Sequence, residues 1–251
     1  MLAGCSRGTA EDTPSQPRSG SGMVSPSAAV PIIVFDLDHT LVHCDSFSAF
    51  SRHLVLRAWW RIALVVVASP IVGVLWLPAR TRVLAVSVLL WCATVGIDEK
   101  ALHALMDGHT AQRFGGDSQL ACRPAIEALR AHQSAGARVL VATGAEANLA
   151  ERVCGALGIR GIEVVGSSLR PWLGGWVAHR HCYGSRKLSM LSEHCGSGAW
   201  ECVYSDSAAD LPILSRGVRR VVVSPKPADL KKISASLGQD FELVEWRGRR
   251  E

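Results

Sequence analysis

The stretch FDLDHTL, Phe35–Leu41, sets two carboxylates (Asp36 and Asp38) and the Thr40 hydroxyl within five residues, directly behind the apolar run VPIIV. Aspartates two apart at the end of a buried strand repel each other unless something cationic stands between them. A divalent metal held by carboxylate and backbone carbonyl oxygens satisfies that need. The same pair allows one carboxylate to attack an electrophile while its neighbour moves a proton. Phosphoryl transfer uses these parts, together with a hydroxyl or amide cradle and a lysine for the charge on the transferred group. The chain offers each in order: the Thr143 hydroxyl and Gly144 amide in VATGA, Lys187 near the start of a helical segment, and Asp206 and Asp210 in YSDSAAD.

These groups need a scaffold that carries them to one place. VPIIVFDLD (30–38) has the apolar, β-branched composition of a buried parallel strand. Further on, RPAIEALRAHQSAG (123–136) predicts a helix with proline in its first turn and glycine at its end. Strands are predicted at 137–144, 161–169, 200–206 and 218–225. Helices are predicted at 146–158, 185–194, 208–216 and 227–237, and LGGWV marks a hairpin within 169–180. This alternation predicts an α/β fold, a Rossmann-like parallel sheet with helices on both faces. Its site would lie in the crevice beyond the carboxyl ends of the strands. Asp36, Asp38, Thr143, Ser205 and Asp206 end three different strands, and one crevice could collect them all.

The order DLDHT, VATG, Lys187, SDSAAD resembles the four motifs of the haloacid dehalogenase superfamily of aspartyl phosphotransferases, over roughly residues 31–45 and 120–225. The resemblance implies Asp36 as nucleophile and Asp38 as general acid, then base. It places Thr143, Gly144 and Lys187 on the phosphate. Mg²⁺ would be held by Asp36, the Asp38 carbonyl and Asp206, with Asp210 binding directly or through water. His39 stands where many members have glycine. Taken singly, Asp36 or Asp206 could cap a helix, Thr143 could form a turn and Lys187 could be a solvated side chain. Four motifs in register favour the catalytic reading.

Between the first two motifs, residues 47–107 form a very apolar helical insertion. Its apolar runs, about 62–79 and 83–97, are separated by the basic turn ARTR, and Pro70 interrupts the first. Both are near or below the roughly 20 residues needed to span a bilayer. Arginines (52, 57, 61, 80, 82) and tryptophans (59, 60, 76, 91) flank them, as at a membrane–water interface. A soluble cap helix would carry polar residues at helical period. Residues 62–77 carry only Ser69, which predicts membrane association, more as a re-entrant or interfacial hairpin than as a full span. The segments FDLDHTL, LLWCATVG, GGWV, CYGSRK and YSDSAADLPIL together resemble the bacterial phosphatidylglycerophosphatase C family. That resemblance implies hydrolysis of phosphatidylglycerophosphate at the cytoplasmic face of the inner membrane, with a phosphorylated lipid headgroup as substrate. His39 and the differing cap sequence depart from the pattern.

The predicted organisation is a disordered tail at 1–29, a catalytic core at 30–46 and 108–240, the cap at 47–107, and a basic tail at 241–251. LAGC near the start lacks the apolar segment that precedes a lipoprotein cleavage site, and Met23 is a second possible start. Eight scattered cysteines without a CxxC pair suit reduced thiols, and HRHC (179–182) lacks the further ligands of a zinc site. The net charge of +5 suits anionic partners without choosing among them. Nucleic acid is not expected, because the basic residues are dispersed and the aromatic ones gather in the cap. Three other readings stay open: a phosphatase of a soluble ester such as phosphoserine, a phosphotransferase with another acceptor, and a non-catalytic membrane-bound scaffold.

Overall fold

A computed structural model describes residues 30–246; the predicted tail at 1–29 lies outside them. Seven strands form one sheet: β1 (Ile32–Asp36), β2 (Arg138–Glu146), β3 (Glu163–Trp172), β4 (Gly175–Arg180), β5 (Trp200–Ser205), β6 (Gly217–Val223) and β7 (Glu242–Val244). Their order is β4-β3-β2-β1-β5-β6-β7, parallel except for the β3–β4 hairpin. The predicted α/β class therefore holds. From β1 the chain first builds outward through β2 and later returns to pair β5 on the other side of β1. A crevice opens at such a reversal of strand order.

The apolar runs fill both faces of the sheet with period two. Ile33, Phe35, Val139, Val141, Cys202 and Tyr204 point into one core, while Val34, Leu140 and Val203 point into the other. The face around Phe35 is covered by α5 (Arg123–Ser134) and α6 (Ala147–Ala156). The opposite face is covered by α7 (Ser185–Cys195), α8 (Leu211–Leu214) and α9 (Pro227–Leu237).

Three predicted boundaries move. β2 continues past residue 144 to Glu146, whose side chain then accepts from Leu149 N at 2.8 Å and caps α6. The predicted helix 208–216 divides into a 3₁₀ turn, Ala208–Asp210, and α8. Residues 241–251 are not all tail: β7 pairs with β6, and Trp246 stacks on Tyr204. An edge strand this short carries too little periodicity to be seen in sequence. Residues 247–251 lie outside the described chain.

The insertion folds as α1 (Ser46–Leu56), α2 (Trp59–Trp76) and α3 (Arg82–Thr94), followed by α4 (Glu99–Phe114), which crosses the predicted cap–core junction at 107/108. Asp45 and Asp98 cap α1 and α4 by accepting from Ser48 N and Ala101 N, each at 2.7 Å. Pro70 does not break α2. Proline removes the N–H that would bond to Val66 O, and the Ser69 hydroxyl donates there instead at 2.7 Å.

The end of α3 is clamped by the β3–β4 hairpin. Trp91 Nε1 donates to Leu173 O, Trp176 N to the Thr94 hydroxyl, and Trp176 Nε1 to Ile97 O. A Cβ at Gly175 would stand 2.8 Å from Trp91 Cδ1, so this contact requires glycine. The LLWCATVG and GGWV segments thus meet in space. Unlike α3, α2 buries only Arg61 along its length.

Candidate active site

The sheet register brings the predicted residues together. Asp36, the last residue of β1, pairs with Ala142, so Thr143 follows one position later on β2. Phe35 pairs with Tyr204 on the other side, which brings Ser205 and Asp206 alongside Asp36. After β1 the chain turns sharply: the backbone N–H groups of Thr40, Leu41 and Val42 all converge on Leu37 O. His39 in this turn has φ +63°, a left-handed conformation that glycine adopts without strain. That explains in physical terms why the position matches glycine elsewhere.

Lys187, in the first turn of α7, is 2% exposed. Its Nζ lies 2.6 Å from Asp36 Oδ1 and 2.7 Å from Asp210 Oδ2. Asp210 Oδ2 also accepts from the Ser205 hydroxyl at 2.7 Å. Burial is the largest influence on Asp36 and pushes its carboxyl well above the usual carboxylate range. Lys187 opposes this, while Asp210 and Asp206 add to it. Burial would pull Lys187 down, but Asp210 and Asp36 outweigh it and hold the ammonium above its ordinary range. Lys187 is thereby locked in its charged form.

Asp38 sits apart from this cluster. Its Oδ1 accepts from Ser46 N, at the start of α1, at 2.8 Å. Burial raises its pKa to about 6, with the Ser46 contact working against it. A carboxyl in that range can give a proton and take one back near neutral pH. Thr143 is fully buried and its Oγ1 accepts from Ala145 N at 3.0 Å, a role that leaves its hydroxyl hydrogen to donate. The loop after it is held by Ser167, whose hydroxyl donates to Gly144 O at 2.7 Å and accepts from Cys182 N at 2.9 Å.

The residues around Asp36 fit a hard divalent cation. Asp36 and Asp210 share the Lys187 ammonium, and the buried carboxylates of Asp210 and Asp206 raise the pKa of Asp36 by repulsion. Thr40 Oγ1 and Ser46 Oγ nearby are buried without a hydrogen-bond partner. Among the described residues no three His, Cys, Asp or Glu side chains form a ready metal cage. Mg²⁺ needs no such cage, since it binds through one or two carboxylates and keeps waters for substrate oxygens to replace.

Sequence reasoning placed Ser205 at a strand end without a role and overlooked Ser46 and Ser167. Only the Asp-Ser pair that opens α1 carries a local signal, that of a helix N-terminus.

A scan against family models matches the haloacid dehalogenase-like hydrolase family over residues 33–215. The chain belongs to the haloacid dehalogenase-like hydrolases. It is therefore a hydrolase whose core spans the site described above. Solved structures share the fold at low identity. A protein of unknown function from Bordetella pertussis Tohama I is 19% identical with a TM-score of 0.64, over 86% of this chain and 98% of its own. A phosphoserine phosphohydrolase-like protein from Francisella tularensis is 11% identical with a TM-score of 0.54, over 85% and 94%. A substrate-bound phosphoserine phosphatase is 16% identical with a TM-score of 0.50, over 81% and 90%.

Proposed function

We propose that this hydrolase is a Mg²⁺-dependent phosphatase acting through a phospho-aspartate, and that its substrate is phosphatidylglycerophosphate, hydrolysed to phosphatidylglycerol. Asp36 attacks phosphorus in line, forming the Asp36–P bond as the bond to the alcohol oxygen breaks. Asp38 gives its proton to the departing alkoxide. It then takes a proton from the water that attacks phosphorus and releases Asp36. Lys187 and the Thr143 hydroxyl, with the Gly144 amide beside it, hold the phosphate oxygens. Mg²⁺ would be held by Asp36, the Asp38 carbonyl and Asp206 and would supply positive charge against the phosphate. Asp210 keeps Lys187 in place and would bind the metal directly or through water.

The observation that carries the lipid reading is the bare face of α2. Trp59 and Leu77 are each 80% exposed and Val67 75%, with Val66, Ile71 and Val74 also exposed along the same helix. Soluble proteins rarely leave so continuous an apolar surface to water. The helix is long and apolar enough to cross a membrane by length and composition, with little of it buried against the protein. Its 18 residues rise about 27 Å, short of the roughly 30 Å hydrocarbon core. Arg80 and Arg82 stand at the tip of the α2–α3 hairpin. These features support a hairpin lying in a membrane interface; on the proposed function that membrane is the bacterial inner membrane, with the crevice on its cytoplasmic side.

The shared fold with a phosphoserine phosphatase supports a second reading, a soluble phosphomonoester as substrate. Phosphate release with Mg²⁺ from phosphatidylglycerophosphate in mixed micelles and from phosphoserine decides between them, with Asp36→Asn as blank. The lipid is expected to be strongly preferred. Preference for phosphoserine would remove the lipid reading and keep the mechanism.

A further inference from the structure

Between α1 and α4 lies a cavity of about 760 Å³, ample for a small polar headgroup. Ser48, Arg52 and His53 line it from α1; His109, Gln112 and Arg113 line it from α4. Among the described residues no carboxylate lines it. His109 is 6% exposed, packed edge-on against Phe50 and 5.1 Å from the His53 ring, and its Nε2 makes no hydrogen bond. An unpaired buried polar atom costs free energy unless a ligand or water completes it. Arg52 and Arg113 add two guanidiniums to the lining, each of a shape that meets phosphate oxygens in pairs.

The position of the cavity matters as much as its lining. α1 begins at Ser46, whose N–H holds Asp38, and ends at Leu56, three residues before the first exposed tryptophan of α2. Arg52 lies six residues along that helix from Ser46, a rise of about 9 Å. The helix that lines the cavity therefore joins the turn holding Asp38 at one end to the apolar hairpin at the other. In phosphatidylglycerophosphate, the group found between the scissile phosphate and the acyl chains is a phosphodiester.

We infer that the cavity between α1 and α4 is an anion subsite that holds the phosphodiester of the lipid substrate, an inference that rests on the lipid reading above. Burial, then His53 and Arg113, hold His109 at about 4, so the neutral ring can complete hydrogen bonding while Arg52 and Arg113 carry the charge. The subsite explains how a phosphatase core could select a substrate with two phosphates over one with a single phosphate.

The test uses the full chain with Asp36→Asn, which stops turnover, and follows the histidine ring signals by NMR. The probes are glycerophosphoglycerol (a diester with no cleavable monoester), inorganic phosphate, and phosphatidylglycerol vesicles. Saturable movement of the His109 signal with glycerophosphoglycerol and with the vesicles is expected, weakened about tenfold or more by Arg52→Gln with Arg113→Gln. In the active enzyme the same double change should lower the preference for phosphatidylglycerophosphate over glycerol 3-phosphate by roughly tenfold. Lys231→Gln with Lys232→Gln on α9, an equal loss of charge, should leave that preference as it was. A His109 signal that stays still with the diester overturns the subsite, whatever the lipid assay gives. Movement with inorganic phosphate alone also overturns it and leaves a free-phosphate pocket. Diester binding without hydrolysis of phosphatidylglycerophosphate overturns the substrate reading instead.

Discussion

The catalytic crevice buries charge, while the cap helix α2 leaves apolar side chains in water. At the carboxyl ends of β1 and β5, Asp36, Asp206, Asp210 and Lys187 are each less than 10% exposed. Along α2 the valines and tryptophans stand out, and Arg61 is the one residue buried. Neither arrangement favours stability in water. Burying ions forfeits hydration that their mutual attraction only partly returns. Exposed apolar area forgoes about 25 cal/mol per Å² that burial would contribute. Both regions give up stability in water: the crevice holds opposite charges out of solvent, and α2 presents a continuous apolar face to it. The cavity between α1 and α4 is basic, and α1, which lines it, joins the catalytic turn to α2.

The largest effect is expected in the crevice. Asp36→Asn should remove phosphatase activity by about 10⁴-fold or more, measured as phosphate release, while the fold survives because the change lowers the crowding of negative charge. Lys187→Met should be the more damaging to stability. It leaves Asp36 and Asp210 buried without their cation, a loss on the order of 3–5 kcal/mol in denaturant titration. If Lys187→Met unfolded no more easily than wild type, the crevice would not be the strained region described here.

The cap should respond in the opposite manner. Val67→Glu adds a charge where the chain already faces solvent, so its stability in detergent-free buffer should change by about 0.5 kcal/mol or less. Its binding to phosphatidylglycerol vesicles should fall roughly tenfold, read by sedimentation. A large loss of stability without loss of vesicle binding would show α2 to be a packing surface instead.

Between the two regions, His109 gives a pH signature. Its pKa is lowered in the folded chain to about 4, so the unfolded chain binds more protons below its ordinary value near 6.5. Its contribution to stability is therefore full above about pH 6.5 and is lost as pH falls from there toward 4. His109→Phe should flatten that part of the stability profile. The smallest effect belongs to His39. Replacing it by glycine relieves the left-handed backbone at φ +63° at the cost of unfolded-chain entropy, for a net gain of about 0.5–1 kcal/mol.

Much of the crevice was legible in the order of residues. Asp36, Asp38, Thr143, Lys187, Asp206 and Asp210 each follow or open a segment whose periodicity names it as strand or helix. A parallel sheet must bring the carboxyl ends of its strands to one side. The bareness of α2 was legible too, because sixteen positions, 62–77, with only Ser69 polar offer no water-facing stripe. What lay beyond the sequence depends on distance. Lys187 meeting Asp36, Ser167 tying Gly144 to Cys182, and Trp91 resting on Gly175 join residues whose neighbours in the chain say nothing of the contact. The pairing of α1 with α4 belongs here as well. Arg52 and His53 are separated from His109 and Arg113 by more than fifty residues, and only the docking of two helices sets their side chains around one cavity. Chemistry written into local runs survives reading in one dimension; a pocket made by two helix faces comes into being only when they pack.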